Sequence, residues 1–322
     1  LNILIAVFII NRGVQIILNK NPRVIYLIVL FVMLIWGINV SALKVIVENF
    51  MPITITSLRI FTAGVTVMLI LGVTKALRLP KKKEWYFIMG GAVFSVVLHH
   101  YFLAAGLTLT SATNTGLILG MGPVLTVIFA TIILKRKPSR LQFAGFILGF
   151  IGVSFTVLAG SGGIMTINLG DFYILLSIVS QTLSFIVIKR AAETMDSRLL
   201  TGYMLVVGSA ALFFISLLQE PNGIASLKQA DYTVWLIFLF SALIATGVGH
   251  MAYNHAISRL GPAETSIFLN LNTFFSIMGA ALFLNEAILV SHFVGLIFIV
   301  FGVIFGSGGL EAWMLQRRRR RM

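Results

Sequence analysis

The sequence predicts an all-α integral membrane protein with ten transmembrane helices, arranged as two inverted five-helix repeats. Three observations predict it. Of the 322 residues, 58% are hydrophobic and only 11% charged, with a mean hydropathy of +1.01. A soluble domain carries roughly 25% charged residues, so this chain has too few to cover a soluble surface. The apolar residues also fall into runs long enough to cross roughly 30 Å of hydrocarbon, which takes about 20 helical residues. Finally, the second half of the chain repeats the first.

The elements follow in order. Residues 1–21 open with LNILIAVFII, which is too short to span and lacks the leading positive charges of a signal peptide. They read as an interfacial or disordered segment, or as one outside the natural start. Spans are expected at 24–47, 52–73, 85–107, 111–134, 141–159, 171–188, 198–218, 233–257, 262–284 and 291–308. A basic tail, 309–322, ends the chain.

The cations set the orientation. Arg12, Lys20 and Arg23 precede the first span, and Lys75, Arg78 and Lys81 to Lys83 follow the second. Lys135, Arg136, Lys137 and Arg140 follow the fourth, Lys189, Arg190 and Arg198 the sixth, Arg259 the eighth, and Arg317 to Arg321 the tenth. Of the 24 Lys and Arg, only Lys44, Arg59 and Lys228 fall elsewhere. Basic residues stay cytoplasmic, so both termini are expected inside a cell membrane. The net charge of +14 then serves orientation, and no nucleic-acid partner is expected. The chain has no Cys, which excludes disulfides, thiolate catalysis and Cys-based metal sites.

Shifting the sequence by 150 residues pairs Trp85 with Trp235, Ala92 with Ala242, His100 with His250, Thr115 with Thr265 and Gly145 with Gly295. Earlier in the chain the offset is 145 and pairs Lys44 with Lys189, Glu48 with Glu193 and Thr56 with Thr201. A five-residue difference in the loop after the second span reconciles the two. The first repeat is read as 22–160 and the second as 161–308. Five spans per repeat is an odd number, so the second copy enters the membrane from the opposite face. Inverted repeats are a common way to build secondary transporters, with the solute site near the midplane. The competing reading is a duplicated structural protein without cargo.

LIWGINVSALK (34–44), the proline at 52 and LRIFTAG (58–64) resemble the start of an EamA-type repeat of the drug/metabolite transporter superfamily. LNEAILVSHFVGLIFIVFGV (284–303) resembles the end of that repeat, with Glu286 at the motif's acidic position. The first repeat departs from the pattern there with Arg136. The resemblance covers roughly residues 22–308. It implies ten helices, no nucleotide, and outward movement of small organic metabolites, often amino acids or their relatives.

The residues supply their own candidates. Trp36 and Asn39 are three apart and share a helix face, which offers either an aromatic wall and an amide to cargo or a bond to a neighbouring helix. Gly37 and Ser41 permit close helix approach. Arg59 lies eight residues into its span, where a charge is costly and marks a site. It suits an anionic group such as a substrate carboxylate, or anchors to backbone carbonyls. His100 and His250, with His99 and His255 nearby, can titrate near neutral pH and offer proton coupling or polar packing. Asn270 shares a face with Thr273, and Glu264 begins the same span near a favourable helix N-terminus. Asn114 and Asn254 complete the expected substrate pathway. Pro123 marks a hinge in the fourth span, opposite an unbroken ninth span, and GLILG (116–120) and GFILGFIG (145–152) supply small-residue packing faces. Trp36, Asn39, His100, His250 and Asn270 are expected to approach one water-accessible cavity.

No GxxxxGK[ST] loop is present, so nucleotide is not the fuel, and no cofactor, metal or catalytic residue is expected. The expected function is a secondary transporter, an exporter of small organic metabolites by alternating access, with the bilayer and a small-molecule substrate as partners. A membrane-embedded enzyme would need carboxylates clustered within the membrane, whereas the ten acids sit at span ends. A channel or scaffold is the remaining alternative.

Overall fold

The computed structural model describes residues 22–107, 109–110, 118–158, 169–228, 230–284 and 289–319, and regular structure among them is helical. Asn114, Glu286 and the segment 1–21 lie outside the described residues. The first helices are α1 (Pro22–Asn49) and α2 (Pro52–Val73). α3 (Glu84–Gly91) runs through a π-helical segment, Ala92–Leu98, into α4 (His99–Leu107). Then come α5 (Gly122–Leu134), α6 (Arg140–Leu158), α7 (Leu169–Ala191) and α8 (Ser197–Gln219). α9 (Tyr232–Leu239) runs through a second π-helical segment, Phe240–Val248, into α10 (Gly249–Leu260). α11 (Pro262–Ser266), α12 (Leu269–Leu284), α13 (Val290–Gly306) and α14 (Gly309–Arg319) complete the order.

Local chemistry sets the helix ends. Pro52 and Pro123 sit in the first turns of α2 and α5, where a missing N–H costs nothing. The Asp196 and Asp231 carboxylates accept from the Arg198 and Val234 amides and cap α8 and α9. The Glu220 carboxylate accepts from the amides of Ile53 and Thr54 at 2.9 and 2.8 Å, satisfying two orphan donors at the start of α2. Lys135, left-handed with φ 56°, ends α5.

Seven stretches among the described residues are long and apolar enough to cross a membrane: Val24–Asn49, Pro52–Val73, Glu84–Gly106, Leu169–Ala191, Ser197–Gln219, Tyr232–Leu260 and Pro262–Phe283. His292–Gly306 with Gly309–Leu315, bent by 48°, makes an eighth if the pair is one span. The expected fourth and fifth spans are represented by the shorter apolar helices Ile118–Leu134 and Arg140–Phe155.

The chain divides into two compact units. One holds the described residues of Leu1–Ile35, Ala42–Val97 and Val187–Leu260, and the other those of Trp36–Ser41, Leu98–Ile186 and Gly261–Met322. In the first unit α2 packs along α8, its equivalent at offset 145. Gly64 lies against Leu205 and Val206, while Gly202 lies against Val67 and Met68. Rising numbers on one helix meet falling numbers on the other, so the pair is antiparallel. In the second unit α6 packs along α13, its equivalent at offset 150, through glycines on both sides. Gly145 meets Gly302 and Gly306, Gly149 meets Gly302, and Gly152 meets Gly295 and Ile299. This pair is antiparallel too. GFILGFIG is thus the packing face that its spacing predicts.

One expectation needs correcting. The ninth span is not unbroken: α11 ends at Ser266, Ile267 and Phe268 form a turn, and α12 starts at Leu269. The fourth span also restarts, with Met121 in a turn and Pro123 just inside the new helix. Pro123 therefore lies in the first turn of α5, directly after the turn at Met121. In addition, the third and eighth spans each carry a π-helical segment, Ala92–Leu98 and Phe240–Val248, ending at equivalent positions.

Candidate functional site

In the first unit Arg59 is buried on α2 at 5% exposure. At seven residues beyond Pro52 it lies about 10 Å along the helix, at 1.5 Å per residue. Among the described residues no carboxylate pairs with it, and its guanidinium donates to the Thr246 hydroxyl on the second π-helical segment. A π-helical stretch shifts hydrogen bonds to i→i+5 and recurs at functional sites. Here the Gly249 N–H reaches the carbonyls of Ile244 and Thr246. The Thr246 carbonyl also lies 3.0 Å from His250 Nδ1. Thr246 thus joins two of the residues that the sequence nominates, Arg59 and His250.

The polar line continues along α10 at four-residue spacing, the repeat of one helix face. The Asn254 side-chain amide donates to the Thr201 hydroxyl on α8 at 3.0 Å, and that hydroxyl donates to the Ser197 carbonyl at 2.7 Å. One turn further, Ser258 offers its carbonyl to Lys189 Nζ at 2.7 Å. The seam therefore runs Arg59–Thr246–His250–Asn254–Ser258 within one unit. Asn254 is held in it by one hydrogen bond to a neighbouring helix.

The repeat-equivalent positions do not reproduce this seam. At offset 150, Thr246, His250 and Asn254 correspond to Val96, His100 and Ala104, and at offset 145 Arg59 corresponds to Met204. The apolar counterparts pack as core: Val96 lies against Gly208 and Met204 against Gly91. Packing is thus satisfied by apolar residues at the counterparts of Arg59 and Thr246, His100 keeps the histidine, and the full polar set forms at one of the two equivalent places, with Arg59 from the first repeat and the rest from the second. Sequence reasoning missed Thr246, Thr201 and Ser197. The four-residue spacing of Thr246, His250, Asn254 and Ser258 was the available signal.

The second unit holds other candidates. Trp36 is half-buried and Asn39 is 7% exposed, and the buried Oδ1 of Asn39 has no hydrogen-bond partner. Their segment of α1 packs on α12: Gly37 lies against Phe275 and Ser276, and Gly279 against Ile38 and Ser41. Asn270 opens α12 at 1% exposure with neither amide atom partnered, and its Nδ2 faces Gly149. His100 also belongs to this unit. His99 is tied to α7, with Nδ1 2.9 Å from the Ser177 hydroxyl, which suits packing. Glu264 pairs with Arg136 at 3.1 Å, beside Gly261, whose φ of 113° turns the chain from α10 into α11.

Outside the spans, Arg78 donates to both Glu84 oxygens at 2.7 and 2.6 Å. The hydrogen bond to Glu84 holds its guanidinium above the usual arginine range. Among the described residues no group of three His, Cys, Asp or Glu could hold a metal ion.

A solved crystal structure aligns with 92% of this chain and 99% of its own, with a TM-score of 0.75 and 18% identity; at that identity the likeness shows the fold. Bacillus subtilis has a protein named uncharacterized transporter YyaM, 27% identical over 290 residues, 88% of this chain and 93% of the relative. A second, uncharacterized transporter YvbV, is 24% identical over 274 residues, 85% of this chain and 88% of the relative. The EamA-like transporter family matches residues 23–158 and again 168–307, covering both repeats. The chain belongs to the EamA-like transporter family, as two tandem copies of its repeat.

Proposed function

We propose that this protein is a secondary transporter that exports small organic metabolites, amino acids or related compounds, by alternating access. The carrying observation is Arg59, a buried cation whose hydrogen-bond partner is a hydroxyl on a π-helical segment, in a transporter-family chain. Its remaining donors suit a carboxylate, which a guanidinium binds in a fork. Asn254 and His250 extend the same polar face, and Trp36, Asn39, His100 and Asn270 are proposed to line the pathway in the second unit. The antiparallel packing of α2 with α8 and of α6 with α13 supports inverted repeats, and the basic asymmetry supports cytoplasmic termini in the cell membrane. Outward direction rests on the family resemblance.

Flux of labelled amino acids into and out of proteoliposomes tests the reading. Saturable flux is expected, and Arg59→Gln should lower it about tenfold or more, because a charge-assisted hydrogen bond contributes about 1.5–3 kcal/mol. Non-saturable flux would mark a channel, and chemical conversion of the solute an enzyme. If His250 couples proton movement, His250→Gln should leave downhill flux intact and abolish its response to an imposed pH gradient. A retained response rules that coupling out.

A further inference from the structure

We propose that α14 is a docking surface for anionic phospholipid headgroups at the membrane interface. The chain turns out of α13 by 48° at Ser307–Gly308, and Gly308 is left-handed at φ 72°. A side chain there would meet the Gln142 amide at 2.9 Å, so the turn is built for glycine. The bend turns α14 by 48° from the direction of α13.

The composition of α14 fits that position. Leu310, Trp313 and Met314 fall at i, i+3 and i+4, on one face. Trp313 is 45% exposed, although it is among the largest apolar side chains of the helix. Tryptophan is enriched where hydrocarbon meets headgroups. Arg317 lies on the same face, its guanidinium 5.1 Å from the centre of the Trp313 ring. The sequence continues with arginine through Arg321, against a single acid, Glu311.

Two interfacial signals therefore coincide: an aromatic-apolar face, and five consecutive cations with almost no opposing charge. Orientation alone needs no exposed tryptophan stacked beneath an arginine. Clustered arginines next to a membrane helix attract acidic lipids, and the attraction fades within a Debye length. The partner that matches both signals is an anionic bilayer surface.

The test uses the full chain with Trp36, Trp85 and Trp235 replaced by Phe, so that Trp313 alone fluoresces. It is reconstituted in equimolar phosphatidylglycerol and phosphatidylcholine, with bromine on the tails of one lipid at a time. Brominated phosphatidylglycerol should quench Trp313 about threefold more effectively at low salt. The preference should vanish at about 0.5 M salt and when residues 317–321 are all Gln. Equal quenching by both lipids, or none by either, overturns the proposal. If the triple Phe chain does not fold, thermal unfolding of the otherwise unchanged chain decides. Added phosphatidylglycerol should raise its Tm more than phosphatidylcholine does, and the five-Gln variant should lose that difference. An identical rise in both chains overturns the proposal.

Discussion

Thr246 serves two partners at once, Arg59 through its hydroxyl and His250 beside its carbonyl. Thr246→Val is nearly isosteric but removes the oxygen that meets a buried guanidinium. Leaving such a donor unpaired costs about 1–3 kcal/mol or more, so the detergent-solubilised variant should melt at a lower temperature, and Thr246→Ser should restore most of the loss. A valine variant as stable as the parent would mean that Arg59 finds its stabilisation elsewhere. Arg59, His250 and Asn254 were legible in the sequence, because ionisable and amide groups are costly in a span. Their partners were not. Threonine and serine are cheap in membrane helices, where their hydroxyls turn back on the preceding turn, as Thr62 does to Leu58. Nothing in the one-dimensional pattern separates Thr201 from Thr62, and only the four-residue spacing from His250 and Asn254 singles out Thr246.

Among the elements, the pairing of α6 with α13 rests on glycine. In a bilayer, helices gain little from burying apolar surface, so close backbone approach supplies much of the attraction. A Cβ at position 145 would stand 2.3 Å from the Gly306 amide nitrogen, and neither backbone can yield locally. Gly145→Ala should therefore cost about 1–3 kcal/mol, read as lower Tm and lower folded yield. Gly72→Ala is the control, since its nearest atom would be 3.9 Å away, and it should change neither. The breaks in the fourth and ninth spans lead to a different prediction. Pro123 sits where no helix bond is lost, so Pro123→Ala should leave folded yield unchanged while letting α5 extend backwards across Met121. If the restart serves movement, the transport rate falls, and an unchanged rate removes the hinge. The sequence pointed to Pro123 by residue type alone. It carried no corresponding mark at Ile267–Phe268, because that break contains neither proline nor glycine and is set by the surrounding packing. The π-helical segments carried no distinctive mark either: the first has neither proline nor glycine, and Gly247 in the second is one glycine among many in the spans.

For the whole molecule, helix direction and charge distribution point the same way. On the expected topology of ten alternating crossings, the first and ninth spans would run parallel, while the second would oppose the seventh and the fifth the tenth. The contacts of Gly37 and Gly279, of Gly64 and Gly202, and of Gly145 and Gly152 follow those three directions. Single cysteines in the naturally cysteine-free chain give the check. In sealed cells an impermeant maleimide should label position 222 and spare positions 82 and 136, all exposed. Labelling at 82 with none at 222 would invert the topology. The sequence by itself determined the membrane setting, most of the apolar stretches and the duplication, since hydropathy and repeat register are properties of chain order. It also determined which ionisable groups must be explained. Only the tertiary structure decided which hydroxyl meets Arg59, that a residue of the first repeat and a helix face of the second build the polar seam while the counterparts Met204 and Val96 pack as core, and where the helices break. Those outcomes depend on which side chains face one another across neighbouring helices, and two sequences with the same hydropathy and spacing can differ in that respect.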